Sequence, residues 1–300
     1  MAVYDADGNQ LFTVYDADGN ALSTAYDADG NVVFRAQGIN LKVMTYNVGG
    51  WYNGTGQSVP AAYDAQYYAL QNGILQRNDP DILCINEYRT QFTTGGRTAQ
   101  SVLSPYFQYI EERQGSTGYY GHAICSKYPI LSYTENQYAN DQARYYGKAV
   151  INVNGTYVNV IVTHLSTDGD LRPAQSSELL AYAQTLDNAI VCGDFNLHCK
   201  SKDYYYSLTG MYEWQVGYKQ WVDADFNMAN NDDEFGFIGT WWNPTDVEER
   251  HGWWSLDNII VSPNISINNV YADMTKSTDP ITSDPNWLID QTPLIAEITI

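Results

Sequence analysis

The sequence predicts an α/β protein in which two packed β-sheets are flanked by helices, behind a short repeat of turns and strands. Three observations lead there. Strand-like runs recur from Leu41 to the C-terminus, many of them apolar throughout. Only two long stretches carry a helical stripe. The hexapeptide YDADGN begins at Tyr4, Tyr15 and Tyr26, a strict period of 11 that stops before Leu41.

The repeat comes first. Between its copies lie the apolar-leaning stretches QLFTV, ALSTA and VVFRA. Asp-Gly followed by Asn marks a tight turn, because Gly and Asn tolerate positive φ. Each unit therefore reads as a turn plus one short strand, too small to bury a face alone. The segment is expected to stack along itself or against copies from other chains, as an oligomerisation or attachment module. The Asp-x-Asp-Gly-Asn string also matches part of a calcium loop, but it lacks the later bidentate Glu, and turn chemistry is the better account. The repeat resembles short tandem modules of bacteriophage tail and host-recognition proteins. Gln37-Gly38 is the joint, dividing the chain into residues 1–38 and 39–300.

From there the elements follow in order. LKVMTYNV is a strand. Residues 62–77 form a helix, with Tyr63, Tyr67, Leu70 and Ile74 on one stripe and Pro80 as a stop signal. DILCIN is a buried strand. HAICSKYPI, KAVINVN and YVNVIVTHL are three more, the last two joined by the hairpin turn Asn154-Gly155. Residues 172–187 form the second helix, with Pro173 in its first turn. AIVCGDFN, SLDNIIVS and PLIAEITI complete the strands.

Composition narrows the class. Fifteen basic against 35 acidic side chains give a formal charge of −20, while 44 % apolar and 14 % aromatic residues exclude a disordered chain. So acidic a protein is unsuited to tight, sequence-independent nucleic-acid binding unless a metal neutralises the phosphates. No apolar run approaches the ~20 residues of a membrane helix. The first twenty residues have neither a basic start nor an apolar core, so cytoplasmic synthesis without a secretory signal is expected, a phage particle being a further possible location. Cys84, Cys125, Cys192 and Cys199 lack zinc spacing, and the three within strand-like runs read as buried thiols.

Polar residues recur at the ends of the strands: Asn47, Glu87, His164, Asp194 and Asn196. Rigid strands fix such side chains along one rim. The set is mostly oxygen donors, which suits a hard cation such as Mg²⁺ (or Mn²⁺), and a neutral His or an Asn can donate to a phosphoryl oxygen.

TYNV, INEY, THL, GDFN, SLDNIIVS and PLIAEI stand in this order over residues 41–300, with Arg172, Gln175 and Leu179 following THL. On these motifs the chain resembles the endonuclease/exonuclease/phosphatase superfamily, whose DNase I-like fold is a four-layer α/β/β/α sandwich. The resemblance implies a metal-dependent phosphoric ester hydrolase, a nuclease among the options. It implies Glu87 as the main Mg²⁺ ligand with Asn47 assisting, and Asp194 as the group that activates water. Asn196 would hold that water or a phosphate oxygen, His164 would donate to the phosphoryl oxygen, and Asp257 would orient a second histidine. The implied partner is a phosphate ester: nucleic acid, lipid or small molecule.

One departure stands out. The family's closing Ser-Asp-His is replaced by LIDQTPLIAEITI, which sets Asp290 on the family Asp, a metal-site residue, and Gln291 on its His. Ser283-Asp284-Pro285 is an alternative alignment, also without His. Gln donates a hydrogen bond but cannot exchange a proton near neutral pH. His251 and His198 are the histidines that could compensate, although a surface histidine without a role is the commoner case; His122 merely starts a strand. A second reading is therefore a catalytically impaired binding protein, with residues 1–38 as its attachment. Trp241-Trp242, Trp253-Trp254 and Tyr204 to Tyr206 read as packing before base stacking.

Overall fold

The computed structural model describes residues 38–51, 61–92, 94–113, 121–197, 214–230, 240–242, 253–254, 256–273 and 291–300, together with six short strands between Val3 and Arg35. In the repeat, β1 (Val3–Tyr4) pairs with β2 (Gln10–Leu11), β3 (Val14–Tyr15) with β4 (Ala21–Leu22), and β5 (Thr24–Tyr26) with β6 (Val32–Arg35). Each Tyr of YDADGN closes one strand and the residue after its Asn opens the next. The unit is thus a whole two-stranded hairpin rather than a turn plus one strand. The DADGN turns themselves lie outside the described residues.

The rest of the chain builds two sheets. The first contains β7 (Asn40–Asn47), β8 (Ile82–Tyr88), β9 (Tyr109–Arg113), β10 (Gly121–Ser126), β19 (Ser266–Ala272) and β20 (Leu294–Thr299), in the order β19-β20-β7-β8-β10-β9. The second contains β11 (Ile130–Tyr138), β12 (Asp141–Val153), β13 (Thr156–His164), β14 (Ala189–Asp194), β15 (Asn227–Met228) and β18 (Asp257–Val261), in the order β11-β12-β13-β14-β18-β15. Each sheet has one parallel pair, β7/β8 and β13/β14. A parallel pair needs a crossover, supplied by α1 (Asp64–Asn78) and α3 (Arg172–Ala183). It also brings both strand ends to the same edge, which is how one rim collects the polar ends.

Three apolar clusters account for the layers. Met44, Leu83, Ile85 and Cys125 face α1 and the short α2 (Ala99–Leu103) through Tyr67, Ile74 and Val102. Val43, Cys84, Val160, Cys192 and Ile259 fill the space between the sheets. Ile161, Val191 and Ile260 face α3 and α4 (Lys219–Asp223) through Leu179 and Trp221. The result is two mixed sheets flanked by helices, an α/β/β/α sandwich. Cys84, Cys125 and Cys192 are free and buried, and Cys199 lies outside the described residues.

Some boundaries differ from expectation. Residues 122–130 are not one strand: β10 ends at Ser126 and β11 begins at Ile130 in the other sheet. Pro129, which has no N–H for a ladder, stands at this change of sheet, where the Tyr128 N–H donates to Ser126 Oγ at 2.9 Å. The second helix stops at Ala183 rather than 187, and Asn188, at φ 48°, turns the chain into β14. The tryptophan pairs form a ladder of their own, β16 (Trp241–Trp242) against β17 (Trp253–Trp254).

Candidate active site

The pairing registers set the predicted residues abreast. In the second sheet His164 pairs with Asp194, and Asp194 with Asp257. In the first, Asn47 pairs with Asn86, the residue before Glu87. The two rows face each other across the sandwich. Asn47 joins them: its Nδ2 donates to Glu87 Oε1 at 3.1 Å and to Asp194 Oδ2 at 3.0 Å, while its Oδ1 accepts from the Gly49 N–H at 2.9 Å. His164 Nε2 lies 3.7 Å from Asp194 Oδ2. The Asn196 N–H donates to Asp194 Oδ1 at 2.8 Å and its Nδ2 to the Leu165 carbonyl at 3.0 Å.

Local backbone explains the aim of two of these groups. Between Gly121 and His122 the register of β10 against β8 slips, leaving Glu87 as the extra residue of a bulge. Glu87 has φ 55°, a left-handed conformation that costs a non-glycine residue on the order of 1–3 kcal/mol. Asn196, at φ 48°, turns the chain just after β14 at less cost, since Asn tolerates that region. The start of α3 braces the rim: Arg172 donates to the Asn196 carbonyl, and Gln175 Oε1 accepts from the Ser166 N–H at 2.8 Å.

Charge is crowded here. Burial raises the Asp194 carboxyl, and hydrogen bonds from Asn47 and Asn196, the Arg144 guanidinium and Gln291 oppose it. Asp257 is raised further, by burial first and then by the Asp194 and Glu87 carboxylates. Neither Asp257 oxygen has a hydrogen-bond partner among the described residues. Burial, then Arg144 and His122, push the His164 imidazole down, so it is neutral at pH 7. Arg144, buried on β12, escaped sequence reasoning because it falls inside a strand, away from every strand-end motif.

Three neighbouring carboxylates, Glu87, Asp194 and Asp257, are chemically suited to a divalent cation. Among the described residues no group of three His, Cys, Asp or Glu is arranged as a metal centre. The fit is therefore to an ion that keeps much of its water, as Mg²⁺ does, rather than to a closed cage. The position of Asn47 differs from that of a ligand: nitrogen, not oxygen, faces the carboxylates. Gln291 is buried beside Asp194. Asp290, His198, His251, residues 283–285 and Tyr204 to Tyr206 lie outside the described residues.

No curated protein matches the chain. Among solved structures, a Bacteroides thetaiotaomicron endonuclease/exonuclease/phosphatase family protein superposes with a TM-score of 0.63 at 14 % identity, covering 88 % of this chain and 99 % of that one. D. rerio TDP2, complexed with a single-strand DNA product, gives 0.63 at 13 % identity, over 87 % and 99 %. A Bacteroides thetaiotaomicron mannosyl-6-phosphatase gives 0.60 at 14 % identity, over 87 % and 100 %. The family model described as Endonuclease/Exonuclease/phosphatase family matches residues 44–284, and the chain belongs to that family.

Proposed function

We propose that this protein hydrolyses a phosphate mono- or diester by in-line attack of water, with nucleic acid among the possible substrates. The observation that carries the reading is the contact of Glu87, Asn47, Asp194 and His164 at one rim, drawn from both sheets of a family fold. Glu87, with Asp290, would hold Mg²⁺ or Mn²⁺, which would offset charge developing on the phosphoryl group, while the Asn47 amide steadies the Glu87 carboxylate. Asp194, whose amide donors favour its carboxylate form against the pull of burial, accepts the proton of the attacking water. The water oxygen bonds to phosphorus as the ester P–O bond breaks, and the neutral His164 donates to a phosphoryl oxygen. Asn196 secures the turn that aims Asp194, and Asp257 pairs with Asp194 on the neighbouring strand at the position the family uses to orient a second histidine. Gln291 donates a hydrogen bond but has no proton to give the leaving oxygen near pH 7, so solvent supplies it.

Gln291 and the repeat support the second reading, a weakly active or inactive binding protein. In both readings residues 1–38 form a separate attachment or self-association module, suited to a virion, and residues 39–300 form the family domain. A panel of nucleic acids, phospholipids, sugar phosphates and inositol phosphates with Mg²⁺ or Mn²⁺ separates the two. The hydrolase reading expects turnover of at least one class, abolished by Glu87→Ala. Binding insensitive to Glu87→Ala, without turnover, favours the second.

A further inference from the structure

Asn86 precedes Glu87 on β8 and is fully buried. Its side chain leaves its own sheet for the other one. Nδ2 donates to the Thr163 carbonyl at 2.6 Å, and Oδ1 accepts from the Asp194 N–H at 3.0 Å. Those two groups belong to one rung of the parallel β13/β14 ladder. Thr163 pairs with Gly193, and that register sets its carbonyl opposite the Asp194 N–H. The Asn86 carboxamide engages both. At the same rung Gly193 has φ 154°, and a Cβ there would lie 1.9 Å from the Thr163 oxygen, so only glycine permits so close an approach. A carboxamide carries a donor and an acceptor in one plane, as a peptide unit does, and among side chains only Asn and Gln supply that pair.

We propose that Asn86 is a positioning residue: its carboxamide sets the spacing between the sheet carrying Asn47 and Glu87 and the sheet carrying His164 and Asp194. The argument is one of leverage. Asn47 also reaches Asp194, but side chain to side chain. Asn86 instead holds the backbone of the far sheet at the residues immediately before and at the catalytic pair, and it is covalently next to Glu87. A shift of about 1 Å between groups acting on one phosphorus costs on the order of 10²-fold in rate.

The kinetic arm of the test rests on the phosphoesterase reading, and the spectroscopic arm does not. Asn86→Leu removes both bonds in a side chain of the same branching, Asn86→Asp keeps the acceptor only, and Asn86→Gln keeps both groups on a longer stem. With bis(4-nitrophenyl) phosphate and 4-nitrophenyl phosphate in Mg²⁺, kcat is expected to fall on the order of 10²-fold in the Leu and Asp variants with KM nearly unchanged, and to recover in part with Gln. Wild-type kcat in the Leu or Asp variant, or a change confined to KM, overturns the proposal. In the wild-type protein without substrate or metal, NMR should detect a scalar coupling across the hydrogen bond from the Asp194 amide nitrogen to the Asn86 carboxamide carbon. Coupling to the Thr163 carbonyl carbon alone overturns it, even where Asn86→Leu fails to fold. If the wild-type protein turns over neither probe, the functional reading is what suffers, and the coupling alone decides the role of Asn86.

Discussion

Gly121 faces Tyr88 across the β10/β8 ladder with no room to spare: a Cβ on Gly121 would lie 2.3 Å from the Tyr88 carbonyl oxygen and 2.5 Å from that of Arg113. The next pairing, His122 with Asn86, skips Glu87. Close approach at Gly121 and the outward turn of Glu87 are two sides of one bulge. The residue whose carboxylate reaches Asn47 is thus held by a glycine that itself touches nothing chemical.

Gly121→Ala should therefore act on both stability and activity. The methyl group forces β8 and β10 apart, costing about 1–3 kcal/mol as overpacking does. Glu87 rides on the displaced segment, so phosphoesterase activity should fall further than the melting temperature suggests. Thermal melts alongside turnover of the best substrate check this; a destabilised variant with full activity per folded molecule would refute the link.

Asp257→Asn should stabilise the protein while lowering its activity. The Asp257 carboxyl is raised above its ordinary range by burial and by Asp194 and Glu87. A carboxyl with a raised folded-state pKa helps the fold when protonated, and that help is lost as pH rises through its folded-state value. Asn has no such loss. The melting advantage of the variant should widen from pH 4 toward pH 7 and shrink when millimolar Mg²⁺ is added to both proteins. An advantage independent of pH would mean that charge repulsion is not its source.

The sheets and both crossover helices were legible because their signals are local: apolar runs, Asn154-Gly155, Pro173 and the stripe from Tyr67 to Ile74. The strand-end residues were legible for the same reason, since a polar side chain closing an apolar run stands out. What escaped is what depends on the opposite sheet. Nothing in INEY distinguishes Asn86, which crosses the core, from a turn-former, and nothing in DQARYYGKAV shows that Arg144 faces His164. Lys127 to Pro129 carried a version of the same problem: HAICSKYPI reads as one strand running through Pro129, and only the pairing tells that the chain changes sheets there. The short α2, β9 and β19 have too few apolar positions to announce themselves. They are held by their neighbours rather than by their own pattern.

His122 should make the protein acid-sensitive. Burial, with help from Arg144 and Arg113, lowers its pKa to about 3. Between that value and about 6.5 the unfolded chain binds a proton that the folded one refuses, so stability falls as pH drops through this window and is full above it. The shift corresponds to an upper bound of about 5 kcal/mol. Raised carboxyls such as Asp257 slope the other way, so the comparison must be between variants. Denaturant unfolding of wild type and His122→Gln from pH 7.5 to 4 should show the wild type losing stability relative to the variant as pH falls. Parallel curves would show that His122 does not titrate in this way.

Gln291→His tests whether the rim is an intact hydrolytic site lacking one imidazole. Gln291 is buried beside Asp194, and its Oε1 has no hydrogen-bond partner among the described residues. The family resemblance assigns Asp257 the task of orienting a histidine, and both Asp257 oxygens are likewise unpartnered among those residues. An imidazole there would give Asp257 a donor and return a group able to exchange a proton near neutral pH. General acid–base effects of this kind are worth ~10²–10⁴-fold, so turnover should rise within that range and acquire a bell-shaped pH profile. The melting temperature should rise or hold, because a buried carboxylate gains a partner. No gain in rate, with the fold intact by circular dichroism, would place the missing proton carrier elsewhere in the chain and take Gln291 out of the site.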